Sequence, residues 1–195
     1  MTTFLRRVLG PAVALLLVLT LITGFAYPAI VTAIAAVAFP RQAAGSFIAT
    51  ADGRTVGSVL IGQSFSDAKY FWGRPSAAGP DGYDGSASGG ANLGPTSKVL
   101  IDRVSAEVDR LRAANGDAPI PVDLVTTSAS GLDPDISPAA AEYQVARVAA
   151  ARGMTADQVR AAVARHTEDP IVGFLGQARV NVLELNLDLD GLVVP

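Results

Sequence analysis

Ser88, Gly89 and Gly90 form a loop of small residues in the Ser-Gly-Gly order of ATPase signature segments. They are the candidate cofactor-binding residues of the chain, although three small residues in a loop read more simply as a turn. Asp133 and Asp135 flank Pro134 and could share a cation. With no third carboxylate placed beside them, the simpler reading is a pair of solvated acids ahead of a helix N-terminus. His166, the single histidine, falls on the apolar side of a helical pattern, which suits a hydrogen-bonded boundary residue better than a base or ligand. Thr55-Val56-Gly57 has the opening of a potassium-channel filter, but that chemistry needs carbonyl rings from several copies around a pore. Here the tripeptide sits in a hairpin pattern, and a strand is the better reading. The chain has no cysteine, which removes thiolate catalysis, disulfides and cysteine metal sites. It also lacks a Gly-x-x-x-x-Gly-Lys-Ser/Thr phosphate loop and an Asp-Lys-Thr-Gly phosphorylation sequence. No catalytic or metal site is expected from these residues.

The element that must position everything else is Val8 to Pro40, a run without a charged side chain. About 20 apolar residues cross the hydrocarbon of a bilayer, and a lone span must be helical to satisfy its own backbone. The run predicts a membrane anchor spanning about Val8 to Ile30, with Pro28 kinking or ending it and Ile30 to Phe39 continuing into the interface. Residues 1–7 carry Arg6 and Arg7 and no acid, while residues 41–195 hold 13 of the 15 basic residues and all 18 acids, a net charge of −5. Positive residues close to a span stay in the cytoplasm. That predicts a cytoplasmic segment 1–7, an anchor 8–40 and an extracytoplasmic domain 41–195. The alternative is an exported binding module released at Ala36-Val37-Ala38 by signal cleavage, but a signal's apolar region runs only about 7–15 residues.

The acidic remainder disfavours nucleic acid as a partner. Its length suits one domain. Ser46 to Ile61 predicts a hairpin turning at Asp52-Gly53. Gln63 to Thr96 is rich in Gly, Ser, Pro and Asp, yet it carries Tyr70, Phe71, Trp72 and Tyr83. Aromatics of that density predict an ordered, functional loop rather than a linker. Helices are expected over 97–114, capped by Thr96 or Ser97, over 138–153 behind Ser137, and after the Thr155–Gln158 capping box. Pro121 to Thr127 reads as a short buried strand. Arg179 to Leu189 alternates leucines with Glu184, Asn186 and Asp188, the pattern of a strand with one wet face. The fold expected is a single transmembrane helix plus an α/β (α+β) soluble domain with a small mixed sheet and three or more helices.

Several long runs carry a resemblance: YFWGRPSA (70–77), SGGANLGPTS (88–97), DLVTTSASGLDPDISPAAAEYQVARVAAARG (123–153), HTE (166–168) and RVNVLELNLDLD (179–190). With the anchor's Gly24-Phe25-Ala26-Tyr27-Pro28, the chain resembles the C subunit of the high-affinity potassium-transporting P-type ATPase, the Kdp system. It departs at Ala178, where the family commonly has proline. The resemblance implies a non-catalytic subunit of an inner-membrane pump, needed for assembly and for high potassium affinity. Its partners would be a channel-like potassium-selecting subunit, an ATP-hydrolysing subunit and a small membrane subunit. It also implies a catalytic chaperone that raises the ATP affinity of the hydrolysing subunit, with ATP attributed to the C subunit directly. The orientation read from Arg6 and Arg7 leaves only residues 1–7 facing the ATP pool, too few to cradle a nucleotide. As partner-contact candidates we take Gly24, Pro28, Trp72, Asn92 and Arg179.

Overall fold

The computed structural model of the chain describes residues 2–50 and 53–192. Packing divides the chain after Ser46 into two units.

The first unit is helical. Helix α1 (Thr2–Leu21), a single π-helical turn (Ile22–Ala26) and helix α2 (Tyr27–Ala38) follow one another with helical backbone at both junctions. Of the two outcomes expected at Pro28, a kink or an end, the helix does not end there. Proline lacks an N–H and its ring presses on the carbonyl four residues back, that of Gly24. The wider π turn lies at that point and takes up the misfit. The stretch Arg7–Ala38 has the length and composition to cross a membrane, and none of it is buried within the chain. At 1.5 Å per residue it extends about 48 Å, more than the ~30 Å of bilayer hydrocarbon. Helicity stops at Phe39 (φ −138°, ψ 58°), and Pro40 opens the short helix α3 (Pro40–Ala43).

The second unit begins with strands β1 (Phe47–Ala49) and β2 (Thr55–Ser58), paired antiparallel with Phe47 opposite Ser58. Gly53 (φ 80°) closes the expected hairpin; its predicted turn partner Asp52 lies outside the described residues. A second antiparallel sheet has the order β3 (Asp135–Ile136), β5 (Arg179–Asn181), β4 (Thr167–Glu168). Both sheets are small and antiparallel, and with the helices they make an α+β domain. Helices α4 (Lys98–Asn115), α5 (Pro138–Arg152), α6 (Ala156–Arg165) and α7 (Val182–Leu189) supply most of the core. Helix α5 is the central one, burying Ala140, Ala141, Gln144, Val145, Val148 and Ala149.

The caps of α5 and α6 are as the sequence indicates. Ser137 Oγ accepts from the Ala140 N–H at 3.0 Å. Thr155 and Gln158 exchange both bonds of a capping box, at 2.9 and 3.2 Å. Helix α4 differs, since the Ser97 side chain makes no capping bond.

Of two further expected strands, one is absent and the other is cut short. Pro121 to Thr127 folds into a 3-10 turn at Val122–Leu124 that buries Leu124 and Val125. Side chains bend this segment: Asp123 accepts from the Ser137 N–H at 2.7 Å, and the Thr126 hydroxyl donates to the Val122 carbonyl at 2.8 Å. Arg179 to Leu189 pairs as β5 only as far as Asn181. That side chain then accepts from the Glu184 N–H at 3.1 Å, caps α7 and turns the chain helical. The alternation survives because α7 is wedged between two apolar surfaces. Leu183 and Leu187 pack with Ile48 of the hairpin, while Val182 and Leu185 enter the main core.

Candidate functional site: a cleft over the Trp72 loop

Residues 59–97 link β2 to α4 without a helix or strand, and a segment so long must find partners for its backbone elsewhere. Buried amides supply them. Asn186 Oδ1 accepts from the Phe71 N–H at 2.8 Å and its Nδ2 donates to the Phe71 carbonyl at 3.0 Å. One residue on, Gln144 Oε1 accepts from the Trp72 N–H at 2.8 Å and its Nε2 donates to the Trp72 carbonyl at 3.1 Å. Successive residues of an extended chain point their polar groups to opposite sides. Asn186 on α7 and Gln144 on α5 thus stand where neighbouring strands would be. Both amides are fully buried, at 2% and 0% exposure.

Arginines complete the mould. The Arg147 guanidinium lies 3.9 Å from the centre of the Trp72 ring and donates to Ala68 O (2.6 Å), Tyr70 O (2.9 Å), Gln144 Oε1 (2.6 Å) and Asn115 Oδ1 (2.9 Å). Its acceptors there are carbonyl oxygens rather than carboxylates. Burial, with Arg110 nearby, lowers its pKa to about 10. Arg110 stacks on the same indole at 4.4 Å and pairs with Glu107 at 2.8 Å. Arg152 ties Lys69 O and Leu189 O to the Asp190 carboxylate, and Tyr70 reaches the other oxygen of Asp190 at 2.9 Å.

Beyond Trp72 the chain curves around a cleft of about 370 Å³ walled by Phe65, Trp72, Arg74, Tyr83, Arg103 and Arg110. Arg74 is held by Asp133 at 3.0 Å, and the Tyr83 hydroxyl donates to the Arg74 carbonyl. Burial first, and the Asp133 charge second, push the Tyr83 phenol up to about 12, so it stays a neutral donor. Arg103 is the exception on this wall: its buried Nε has no hydrogen-bond partner. Asp81 and Glu107 line the cleft beside these arginines, and among the described residues it brings together no nucleophile–base pair. No cluster of metal-ligating side chains occurs among the described residues either.

The residues singled out from the sequence fall in different places. Trp72 is 7% exposed, so it presents a ring edge to the cleft rather than a free face. Ser88-Gly89-Gly90 lies along the 128–131 loop, where the Gly89 N–H donates to Ser130 O at 2.8 Å and the Ser88 hydroxyl to the same oxygen at 3.0 Å. Two of the donors that would face a phosphate are already engaged. Asn92 is exposed, with left-handed backbone (φ 49°). Arg179 bridges the three-stranded sheet, bonded to Asp135 on β3 and Glu168 on β4. The Asp135 carboxyl is pushed up by burial and by Asp133, with Arg179 opposing. Gly24 lies inside the π turn and Pro28 just after it.

His166 ends α6 and hydrogen-bonds Asp188 Oδ2 at 3.1 Å, as a boundary histidine should. Burial would raise the Asp188 pKa, but hydrogen bonds from Arg165 and His166 outweigh it and hold the carboxyl below its ordinary 3.8. A depressed carboxylate adds stability above its unfolded pKa and loses it as pH falls through the folded value. The stability gap between wild type and Asp188→Asn should thus be widest near neutral pH and close as acid titration passes below 3.8. Urea midpoints of both proteins across pH 3–7 check this; a gap independent of pH refutes it.

Gln144, Arg147 and Asn186 escape sequence reading. Asn186 sits among alternating leucines like a solvent-facing residue, and Gln144 and Arg147 lie in a helix whose alanines mask its buried face.

Fold and cleft together define a class: a chain with one candidate membrane helix among the described residues and an α+β domain that carries a surface cleft. The model of the family described as K+-transporting ATPase, c chain (KdpC), matches residues 9–191. The chain is 62% identical over 185 residues to the potassium-transporting ATPase KdpC subunit of Sorangium cellulosum, covering 94% of this chain and 97% of that one. It is 58% identical over 190 residues to the KdpC subunit of Polaromonas naphthalenivorans (96% of each chain) and 57% over 188 residues to that of Variovorax paradoxus (95% and 97%). The chain belongs to the KdpC family of potassium-transporting ATPase subunits.

Proposed function

We propose that this chain is the non-catalytic subunit of an ATP-driven potassium uptake pump, held in the membrane by Arg7–Ala38. Its α+β domain lies outside the cytoplasm, where it stabilises the complex and supports high potassium affinity. The observation that carries this reading is the family match across 9–191, which takes in the anchor and the domain together. Its partners are the potassium-selecting subunit, the ATP-hydrolysing subunit and a small membrane subunit. Any rise in the ATP affinity of the hydrolysing subunit comes through subunit contacts, in keeping with the engaged donors of Ser88 and Gly89.

Contacts are proposed at two places. In the anchor, a side chain added at Gly24 would meet nothing nearer than Thr20 Cγ2 at 3.9 Å, which leaves the surface around Gly24 and Pro28 open to a close-packed helix. In the domain, Asn92, the Trp72 edge of the cleft and Arg179 are offered to the partners. The orientation is tested by fusing alkaline phosphatase and a cytoplasmic fluorescent reporter separately to the C-terminus. Phosphatase activity alone is expected, and fluorescence alone would reverse the topology and reopen a direct ATP site.

A further inference from the structure

Strands β4 and β5 are joined by residues 169–178, Asp-Pro-Ile-Val-Gly-Phe-Leu-Gly-Gln-Ala. Ile171 and Leu175 exchange backbone hydrogen bonds of 3.0 Å in both directions, which closes a tight turn. The turn holds its apolar side chains out: Ile171 is 67% exposed, Val172 75%, Phe174 80% and Leu175 60%. Val172 sits at φ 50°, a left-handed conformation that a β-branched residue rarely accepts. Hydrophobic residues scattered singly over a surface need no explanation, but four in five consecutive positions form a patch. Strain of this kind collects at binding sites.

Charge decides between a lipid and a protein occupant. Segment 168–178 carries two acids, Glu168 and Asp169, and no Lys or Arg. The nearest base, Arg179, is paired with Glu168 and Asp135. Segments that bind anionic lipid surfaces rely on basic residues, and this one would be repelled. An apolar centre with polar and charged residues at its margin is instead the anatomy of a protein interface. We propose that the Ile171–Leu175 tip is an anchor that inserts into an apolar recess on the extracytoplasmic surface of a membrane subunit of the same pump. This rests on the subunit reading above.

The test uses the full chain co-expressed with the other pump subunits and captured through a tag on one of them. Phe174→Asp should reduce the co-purified chain at least tenfold, while the variant's own denaturation midpoint in detergent stays that of wild type because the side chain is exposed. Equal recovery of Phe174→Asp and wild type overturns the inference and leaves the subunit reading standing; failure of wild type to co-purify sinks both. A second measurement uses the absence of cysteine in the chain. Leu175→Cys, labelled with an environment-sensitive dye, should shift to the blue in the purified complex and stay unshifted for the chain alone in vesicles of phosphatidylethanolamine and phosphatidylglycerol. A blue shift in those vesicles would make lipid the occupant. A concentration-dependent shift of the chain alone in detergent would make it a second copy. Either overturns the proposal, as does an unshifted dye in the intact complex.

Discussion

Asn186→Leu is expected to destabilise the α+β domain by about 2 kcal/mol, and by no more than about 4. Leucine keeps the branched outline of asparagine but can neither accept from the Phe71 N–H nor donate to the Phe71 carbonyl. Each buried backbone group left unpaired costs about 1–3 kcal/mol. The extra apolar burial of leucine returns about 2 kcal/mol and so offsets only part of the loss. The damage falls next to Trp72, the one tryptophan of the chain, so its fluorescence reports both unfolding and any loosening of the loop. Urea denaturation of the full chain in mild detergent, followed at that fluorophore, measures the effect. A midpoint equal to wild type would mean that other contacts hold the 59–97 segment. Assembly with the pump's other subunits should weaken in parallel, because the same clasp fixes the position of the cleft.

Gly131→Ala should be at least as damaging, at about 2–5 kcal/mol. Gly131 has φ 67°, and a Cβ there would lie 2.6 Å from Gly89 O and 2.8 Å from Ala78 N. The left-handed backbone costs a non-glycine residue about 1–2 kcal/mol, and forcing apart a packed contact costs about 1–3 more. Both neighbours are backbone atoms, so no flexible side chain can swing aside. To relieve the contact, the Ser88-Gly89-Gly90 segment must leave the 128–131 loop, breaking the Gly89–Ser130 bond. Hydrogen exchange at the Gly89 amide should rise in the variant well before global unfolding. Unchanged protection there, with a normal urea midpoint, would contradict the argument. The two substitutions loosen the same loop from opposite ends, so their effects need not add.

How much of this is legible in the sequence depends on how local the deciding interaction is. The capping box at Thr155–Gln158, the Ser137 cap with Pro138 behind it and the Gly53 turn involve residues within a few positions of one another, and sequence spacing alone locates them. The anchor is legible for a different reason: a long uncharged run has one stable state in lipid whatever surrounds it. Arg179–Leu189 shows the limit. Alternating leucines indicate a strand when one face is wet, but here the hairpin's Ile48 covers one side and the main core the other, so the same pattern is met by a helix. The cleft lies further out of reach. The aromatic loop can be seen to need anchoring, but not by what, because Phe71 and Asn186 are 115 positions apart and Trp72 and Gln144 are 72 apart.

By itself, then, the sequence determined what nearest-neighbour chemistry and gross hydrophobicity control: the long apolar helix that is the candidate membrane span, the helix caps, the hairpin, the absence of thiol chemistry and, through its long ordered runs, the family. Only the tertiary structure decided which polar residues are buried. Asn186 and Gln144 become backbone partners, Arg147 becomes a cation stacked on Trp72, and Ile171 to Leu175 stay exposed although nothing in their composition separates them from core. The physical reason is that burial belongs to distant surfaces brought together, and a residue's own neighbours along the chain do not fix which surface will cover it.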